Sequence, residues 1–217
     1  MIDKIAYEFV KKLSENLTFF DVWAGLVRPM RKKVQTVDKV FPVAINIPEN
    51  CDQNDYKALV PDSNKKSIAY IEVLSAPTVE FRRHASKQMA AQLRLVIWYN
   101  LDKITAGSYI SEDILVDQVL DLMPHRLSDS LFQGVSQVHI EPTNITYGTA
   151  IVSQYTYNEI KTQFGTHPYG IFAIDLDVWY ISFHCQLPID IEEGCVTGKG
   201  NHETHELPDE ELNGEQE

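Results

Sequence analysis

The groups whose types and spacing could support metal chemistry lie near the C-terminal end of the chain. They are two cysteines and two histidines, Cys185, Cys195, His202 and His205. Thiolate sulfur and imidazole nitrogen are the ligands that Zn²⁺ prefers. The intervals between them hold nine, six and two residues, which fits no usual zinc module. The two histidines also lack the four-residue helical step of a metalloprotease motif. The spacing therefore disfavours a zinc site.

A second hypothesis concerns Asp175 and Asp177, which share one side of a predicted strand. Two neighbouring carboxylates could hold a divalent cation. The solvent-facing side of an alternating strand explains the same pair without a metal. The sequence contains no glycine-rich phosphate loop, and no nucleophile has a base that the sequence can identify. We expect no catalytic residues, no metal and no cofactor, and a metal-dependent enzyme is the weaker alternative.

Length and composition favour one globular domain. A chain of 217 residues that is 44% apolar can bury a substantial core. Three cysteines are too few, and odd in number, for a disulfide framework, so we expect free thiols in a reducing compartment. The N-terminus lacks the charged and apolar regions of a signal peptide, and no apolar run is long enough to span a membrane. These features predict a soluble protein made in a cytoplasm.

The net charge of −12 is concentrated at one end of the sequence. Residues 190–217 contain ten acids and Lys199, which gives this segment −9 and residues 1–189 only −3. We predict a single domain over 1–189 and an acidic C-terminal extension over 190–217. Such an extension is most simply a solvated segment. It could also bind a basic partner, with Glu210 and Glu211 as candidate contacts.

Two segments have the pattern of amphipathic helices. In residues 3–17 one stripe is apolar and the opposite side is charged. The stripe consists of Ile5, Ala6, Phe9, Val10 and Leu13. In residues 111–123, Ser111 is placed to cap a helix, and Glu112 and Asp113 follow in its first turn, where the helix dipole favours acids. The sequence predicts two main helices.

Alternation of apolar and polar residues predicts a sheet between these helices. The clearest strand runs over 88–99, and a preceding strand over 67–74 should pair with it as an antiparallel hairpin. Further strands are predicted over 135–140, 143–157 and 171–187. In the last of these the apolar phase changes after Tyr180, which predicts either a bulge or a strand that passes from its own core to that of a neighbouring subunit. The predicted fold class is α+β, with a mixed or antiparallel sheet flanked by two main helices.

Three stretches are too charged or too turn-rich for a core, and we expect them to project as β-arms over about 28–66, 75–88 and 155–170. The basic residues of the first arm lack the aromatic stacking of a nucleic-acid site, so a solvated strand face or an acidic protein partner fits better. Aromatic and basic residues in or beside the arms are candidate subunit or partner contacts. They are Phe19, Phe20, Trp23, Arg28, Arg31, Lys32, Lys33, Arg82, Arg83, Tyr155, Tyr157 and Phe164. The aromatic group at 19–23 could instead dock the first helix within the chain.

The order helix, strand pair, capped helix, strand pair, with charged arms, resembles the tail terminator and head-to-tail connector proteins, the ring or neck proteins of tailed bacteriophages. The resemblance covers the helix at 5–13, the hairpin at 67–99, the helix at 111–123 and the strands at 135–187. It implies a non-enzymatic virion protein, made in the cytoplasm of a bacterial host. Such a protein forms a homo-oligomeric ring in the neck or tail.

The same resemblance implies neighbours on both sides of the ring, namely portal or adaptor proteins and tail proteins. DNA would pass through as cargo without specific binding, and no membrane is involved. A net charge of −12 agrees with this, since an acidic surface repels the phosphate backbone. The alternative is a soluble adaptor that binds a basic protein through the acidic extension.

Overall fold

The computed structural model describes residues 1–34, 37–45, 56–83, 86–105, 111–156 and 167–183. The predicted α+β class is confirmed: an eight-stranded mixed sheet accompanies three α-helices in these ranges. The helices are α1 (Ile2–Asn16), α2 (Leu101–Thr105) and α3 (Glu112–Asp121). The strands are β1 (Val22–Val34), β2 (Val37–Ile45), β3 (Tyr56–Ala58), β4 (Ser67–Arg83), β5 (Ser86–Asn100), β6 (Arg126–Leu127), β7 (Val135–Tyr147) and β8 (Tyr169–Phe183).

The strands are arranged in the order β3-β2-β1-β4-β5-β8-β7-β6. β1 pairs with β4 in parallel, and the other neighbours pair antiparallel. No helix in the described ranges combines the length and the apolar composition required to cross a membrane.

The main core lies between α1 and one face of the sheet. The predicted apolar stripe of α1 is buried, as are the inward residues of the central strands β5 and β8. From these two strands the core receives Leu93, Leu95, Ile97, Phe172, Ile174 and Leu176. Alternation along a strand places every second side chain on this face, so the period seen in the sequence is the period of burial.

Close packing of α1 on β1 depends on Gly25. A Cβ atom at Gly25 would lie 2.9 Å from the Cα atom of Tyr7, which is inside van der Waals contact. Without a side chain at this position the helix backbone can approach the strand. The ring of Tyr7 then packs on Trp23, with ring centroids 5.5 Å apart.

A second, smaller core covers part of the opposite face of the sheet. Here Tyr70, Val96 and Trp98 pack under Ile151 and Tyr155. The sequence pattern predicted a strand over 143–157, and this was wrong in its second half. β7 ends at Tyr147, and a 3-10 turn at Thr149–Val152 follows. Gly148, with φ of +89°, permits the change of direction. The apolar residues after it cover the sheet instead of extending it.

The predicted bulge in the last strand lies in a neighbouring strand. β8 pairs with β5 in unbroken register from Asn100↔Tyr169 to Ser86↔Phe183. β7 instead has two register shifts against β8, one between Ser136 and His139, where Gln137 has φ of +51°, and one between Pro142 and Asn144. Residues 184–187 of the predicted strand lie outside the described ranges.

The antiparallel hairpin of β4 and β5 is confirmed, but residues 75–88 do not form a two-stranded arm. β8 runs beside β5 as far as Phe183, and β7 runs beside β8 as far as Val135. At this end of the hairpin the sheet therefore has four strands, β4, β5, β8 and β7. Of the other predicted arms, 28–66 contains the β1–β2 hairpin and β3, and most of 155–170 lies outside the described ranges.

Candidate functional site

The β1–β2 hairpin is the element that carries most of the predicted basic contacts. β1 pairs with β4 only from Val22↔Ile68 to Leu26↔Ile71. It then continues with β2 alone, in register from Val27↔Ala44 to Val34↔Val37. We call residues 27–34 of β1 and 37–44 of β2 the basic arm; β3 pairs with its base at Val43 and Ala44.

The cations of the basic arm form no ion pair in the described part of the chain, although Lys33 stands opposite Asp38 in the strand register. Arg28, Arg31 and Lys33 are exposed, and no carboxylate of a described residue lies within 4.0 Å of their charged nitrogens. Lys32 and Lys39 are directly paired across the hairpin. Directly opposed like charges destabilise a strand pair. The arm therefore favours a negatively charged neighbour.

A cleft of about 610 Å³ opens where β1 and β4 diverge. Its lining includes Arg28, Glu72, Arg94 and Tyr155. The carboxylate of Glu72 is buried and accepts hydrogen bonds from Tyr155 Oη at 2.6 Å and Gln154 Nε2 at 2.8 Å. Burial raises the pKa of Glu72 above the ordinary carboxyl range, although the two hydrogen bonds oppose the shift.

Glu72 begins a row of polar residues that crosses four strands. Its register partner on β5 is Arg94, followed by Asp175 on β8 and Asn144 on β7. Arg94 Nε donates to Asp175 Oδ1 at 2.6 Å, and Nη2 donates to Oδ2 at 3.1 Å. The Arg94 hydrogen bonds lower the pKa of Asp175, and the same contact raises the pKa of Arg94. This paired network fixes the register of the strands.

The row bears directly on the hypothesis of a metal at Asp175 and Asp177. Both carboxylate oxygens of Asp175 are engaged by Arg94, and Asp177 accepts a hydrogen bond from Gln92 Nε2 at 3.0 Å. In the parts of the chain that the structure describes, no three ligand-type side chains converge. Cys51, Cys185, Cys195, His202 and His205 lie outside those parts.

Three predicted contact residues belong to the chain's own core. Phe19, Phe20 and Tyr155 are buried, with at most 9% of each exposed, so they offer no surface to a partner. The aromatic group docks the end of α1, as the alternative interpretation held. Trp23 is half-buried against Tyr7.

The remaining predicted contacts are described only in part or not at all. Arg82 and Arg83 pair with Lys87 and Ser86 at the end of β4, and the backbone alone is described for these two arginines, as it is for Lys32. The other four, Tyr157, Phe164, Glu210 and Glu211, lie outside the described residues.

The structure adds a surface on α3 that the sequence reasoning missed. Asp113, Asp117 and Asp121 are exposed at intervals of one helical turn, beside Ile114, which is 46% exposed. Tyr147 at the end of β7 is 45% exposed and lies near Asp113 and Asp117. Partial burial, and then the carboxylates of α3, raise its pKa. We call this surface the acidic face. The four-residue spacing of its aspartates was the available sequence signal.

The first turn of α3 is fixed to the sheet by a hydrogen bond from Tyr99 Oη to Glu112 Oε1 at 2.5 Å. Ser111 precedes the helix as predicted, but its side chain makes no capping hydrogen bond. The Tyr99–Glu112 bond links α3 to β5, and the buried Leu115, Val116 and Val119 pack the same helix into the main core.

The chain matches no protein-family model. A search of curated proteins also finds no match. A functional conclusion rests on the geometry and charge described above.

Proposed function

We propose that this chain is a structural subunit that forms a ring at the head-tail junction of a tailed bacteriophage, as a tail terminator or connector. The ring joins components on the portal side to tail components and allows DNA to pass. The two main helices flank the sheet, and the β-arms and the acidic extension contact adjacent subunits. The subunit is not an enzyme.

The observation that carries this proposal is the pair of strand edges that separate beyond Leu26↔Ile71. β4 continues for 12 residues, 72–83, and β1 for 8 residues, 27–34. No described strand pairs with the outer edge of β4 or with the facing edge of β1 in these stretches. Unpaired strand edges offer backbone donors and acceptors to another chain.

The character of the β4 edge indicates a selective contact. Register shifts occur after Val73, Ser75 and Val79, and Pro77 has no backbone N–H. Such features restrict uncontrolled edge pairing. Val73 and Val79 remain about 40% exposed, so apolar surface is still offered beside the edge.

Charge supports the role of a passage for DNA. The net charge of −12 opposes binding of the phosphate backbone, because little positive charge is available to release counterions. Exposed cations of the basic arm form a local exception. We assign them to protein contacts, because the arm lacks a series of aromatic residues on which bases could stack.

The direct test is the mass of the assembled particle. Native mass spectrometry and light scattering of the full chain, across concentration and salt, should give a closed oligomer of one defined size, visible as a ring by electron microscopy. A chain that stays monomeric, alone and with neighbouring virion proteins, would contradict the proposal. Capture of a basic protein by that monomer, lost on deletion of 190–217, would establish the adaptor alternative.

A further inference from the structure

The basic arm is positively charged within a negatively charged chain. Five of its residues are cationic and only Asp38 is acidic, which gives the arm a net charge of +4. In the strand register Lys32 stands opposite Lys39, and Lys33 stands opposite Asp38. Val37 at its tip is 58% exposed. The arm thus combines a net positive charge with one exposed apolar residue, Val37, beside its turn.

The acidic face of α3 has the complementary composition. Asp113, Asp117 and Asp121 repel one another at four-residue spacing, and no Lys or Arg lies within α3. No cation of a described residue lies within 4.0 Å of these carboxylates. Ile114 and Tyr147 supply exposed apolar surface between the acids. A contact with an apolar centre and a charged rim has the usual layout of a protein interface.

The two surfaces of one chain are too far apart to neutralise each other. Tyr147 lies in the same row across the sheet as Trp23, through Phe172, Ile97 and Ala69. Arg31 follows Trp23 by eight residues on β1, or roughly 25 Å along the strand at about 3.3 Å per residue. This distance far exceeds the length of an arginine side chain. Contact between these two described surfaces therefore requires a second molecule.

We propose that the basic arm of one copy binds the acidic face of α3 on the next copy. The two patches differ, so the contact is head-to-tail, and repeated contacts of this kind close into a ring or extend as a filament. The inference rests on the proposed function and names the surfaces through which the ring would form. It assigns Arg28, Arg31 and Lys33 to the acids of α3 and Val37 to the region of Ile114 and Tyr147.

Charge reversal in the full chain tests the contact. The variant Arg28→Glu/Arg31→Glu and the variant Asp113→Lys/Asp117→Lys should each shift the assembly midpoint at least tenfold to higher concentration. The chain carrying all four substitutions has the wild-type net charge and should recover assembly. The control Lys103→Glu/Arg126→Glu changes exposed cations outside both surfaces by the same charge as the arm variant, and should assemble normally. Circular dichroism checks the fold of each variant.

The outcomes separate this inference from the proposed function. If the wild-type ring persists in both reversal variants, or if the fourfold variant does not recover, the ring stands and this assignment of its surfaces is wrong. If the wild-type chain never oligomerises, both are wrong. If the control loses assembly as the arm variant does, net charge and not the contact explains the effect, and the inference is overturned. Loss in each single-surface variant with recovery in the fourfold variant supports it.

Discussion

Tyr155 Oη donates a hydrogen bond of 2.6 Å to Glu72 Oε1, across 83 residues of sequence. Both side chains are buried, at 2% and 7% exposure. This contact joins the segment after β7 to β4 and closes the second core over the sheet. It also fixes Glu72 at the point where the cleft opens.

Removal of the Tyr155 hydroxyl should destabilise the fold. In Tyr155→Phe the Glu72 carboxylate keeps only the Gln154 donor, and leaving a buried polar group short of a partner costs about 1 to 2 kcal/mol. The free energy of unfolding from urea titration at neutral pH should fall by this amount. The control Tyr7→Phe removes the hydroxyl of a tyrosine that is 47% exposed and should change little. Equal losses in both variants would contradict a specific role for this contact.

The raised pKa of Glu72 predicts a pH dependence of stability. Folding favours the protonated carboxyl, so the contribution of Glu72 is fully present below its unfolded-state pKa and is lost as pH rises through the folded-state value. Glu72→Gln cannot ionise, and its stability relative to the wild type should increase between pH 4 and pH 8. Urea titrations across this range measure the difference. A difference that is constant with pH would show that Glu72 titrates normally.

The Arg94–Asp175 pair should contribute more to the stability of the fold than the neighbouring Asp177 does. Asp175→Asn leaves Arg94 without its charged acceptor, which we expect to cost about 2 kcal/mol at neutral pH, in the range for hydrogen bonds to charged groups. The matched control Asp177→Asn should cost less than about 0.5 kcal/mol, as do most surface substitutions. Thermal unfolding compares the two directly. A larger loss in the control would indicate that Asp177 has the structural role.

The Arg94–Asp175 pair also predicts how the stability of the fold changes at acidic pH. The pKa of Asp175 is lowered in the folded chain, so its stabilisation is present above the unfolded-state pKa and is lost as pH falls through the folded-state value. The difference in unfolding free energy between the wild type and Asp175→Asn should become smaller as the solution is acidified. A difference in unfolding free energy that widens in acid would contradict a lowered pKa of Asp175.

Gly25 should not tolerate even a methyl group. In Gly25→Ala the new Cβ meets the backbone of Tyr7, which cannot move as a flexible side chain would. Overpacking of this kind costs about 1 to 3 kcal/mol. We expect a lower midpoint of urea unfolding, together with a change in Trp23 fluorescence as α1 shifts. Unchanged stability would mean that α1 is free to move away from β1.

Periodicity was sufficient to predict the elements that have one buried face. The α1 stripe and the 88–99 strand were predicted within about two residues of the observed bounds, because each side of these elements meets one environment. The second core was missed because Val96 and Trp98 lie on the side of β5 that the pattern assigned to solvent. A strand covered on both faces does not alternate.

The candidate surfaces were predictable only in part. The cations at 28–33 were visible as a cluster, but the sequence could not show that β1 leaves β4 after Leu26. Phe19, Phe20 and Tyr155 were assigned to an interface because composition does not distinguish a core aromatic from an exposed one. The Glu72–Arg94–Asp175 row depends on register between strands that are far apart in sequence, which no local pattern contains.

The position of β8 has a consequence for how the molecule is made. β8 is the last described strand in the chain, yet it lies between β5 and β7 and pairs with both along most of its length. Until the residues up to Phe183 have emerged from the ribosome, the nascent chain contains β5 and β7 but lacks β8, the strand that joins them. Such sequence-distant pairing slows folding and prolongs the exposure of strand edges. The sheet therefore cannot be completed until the chain has been translated as far as Phe183.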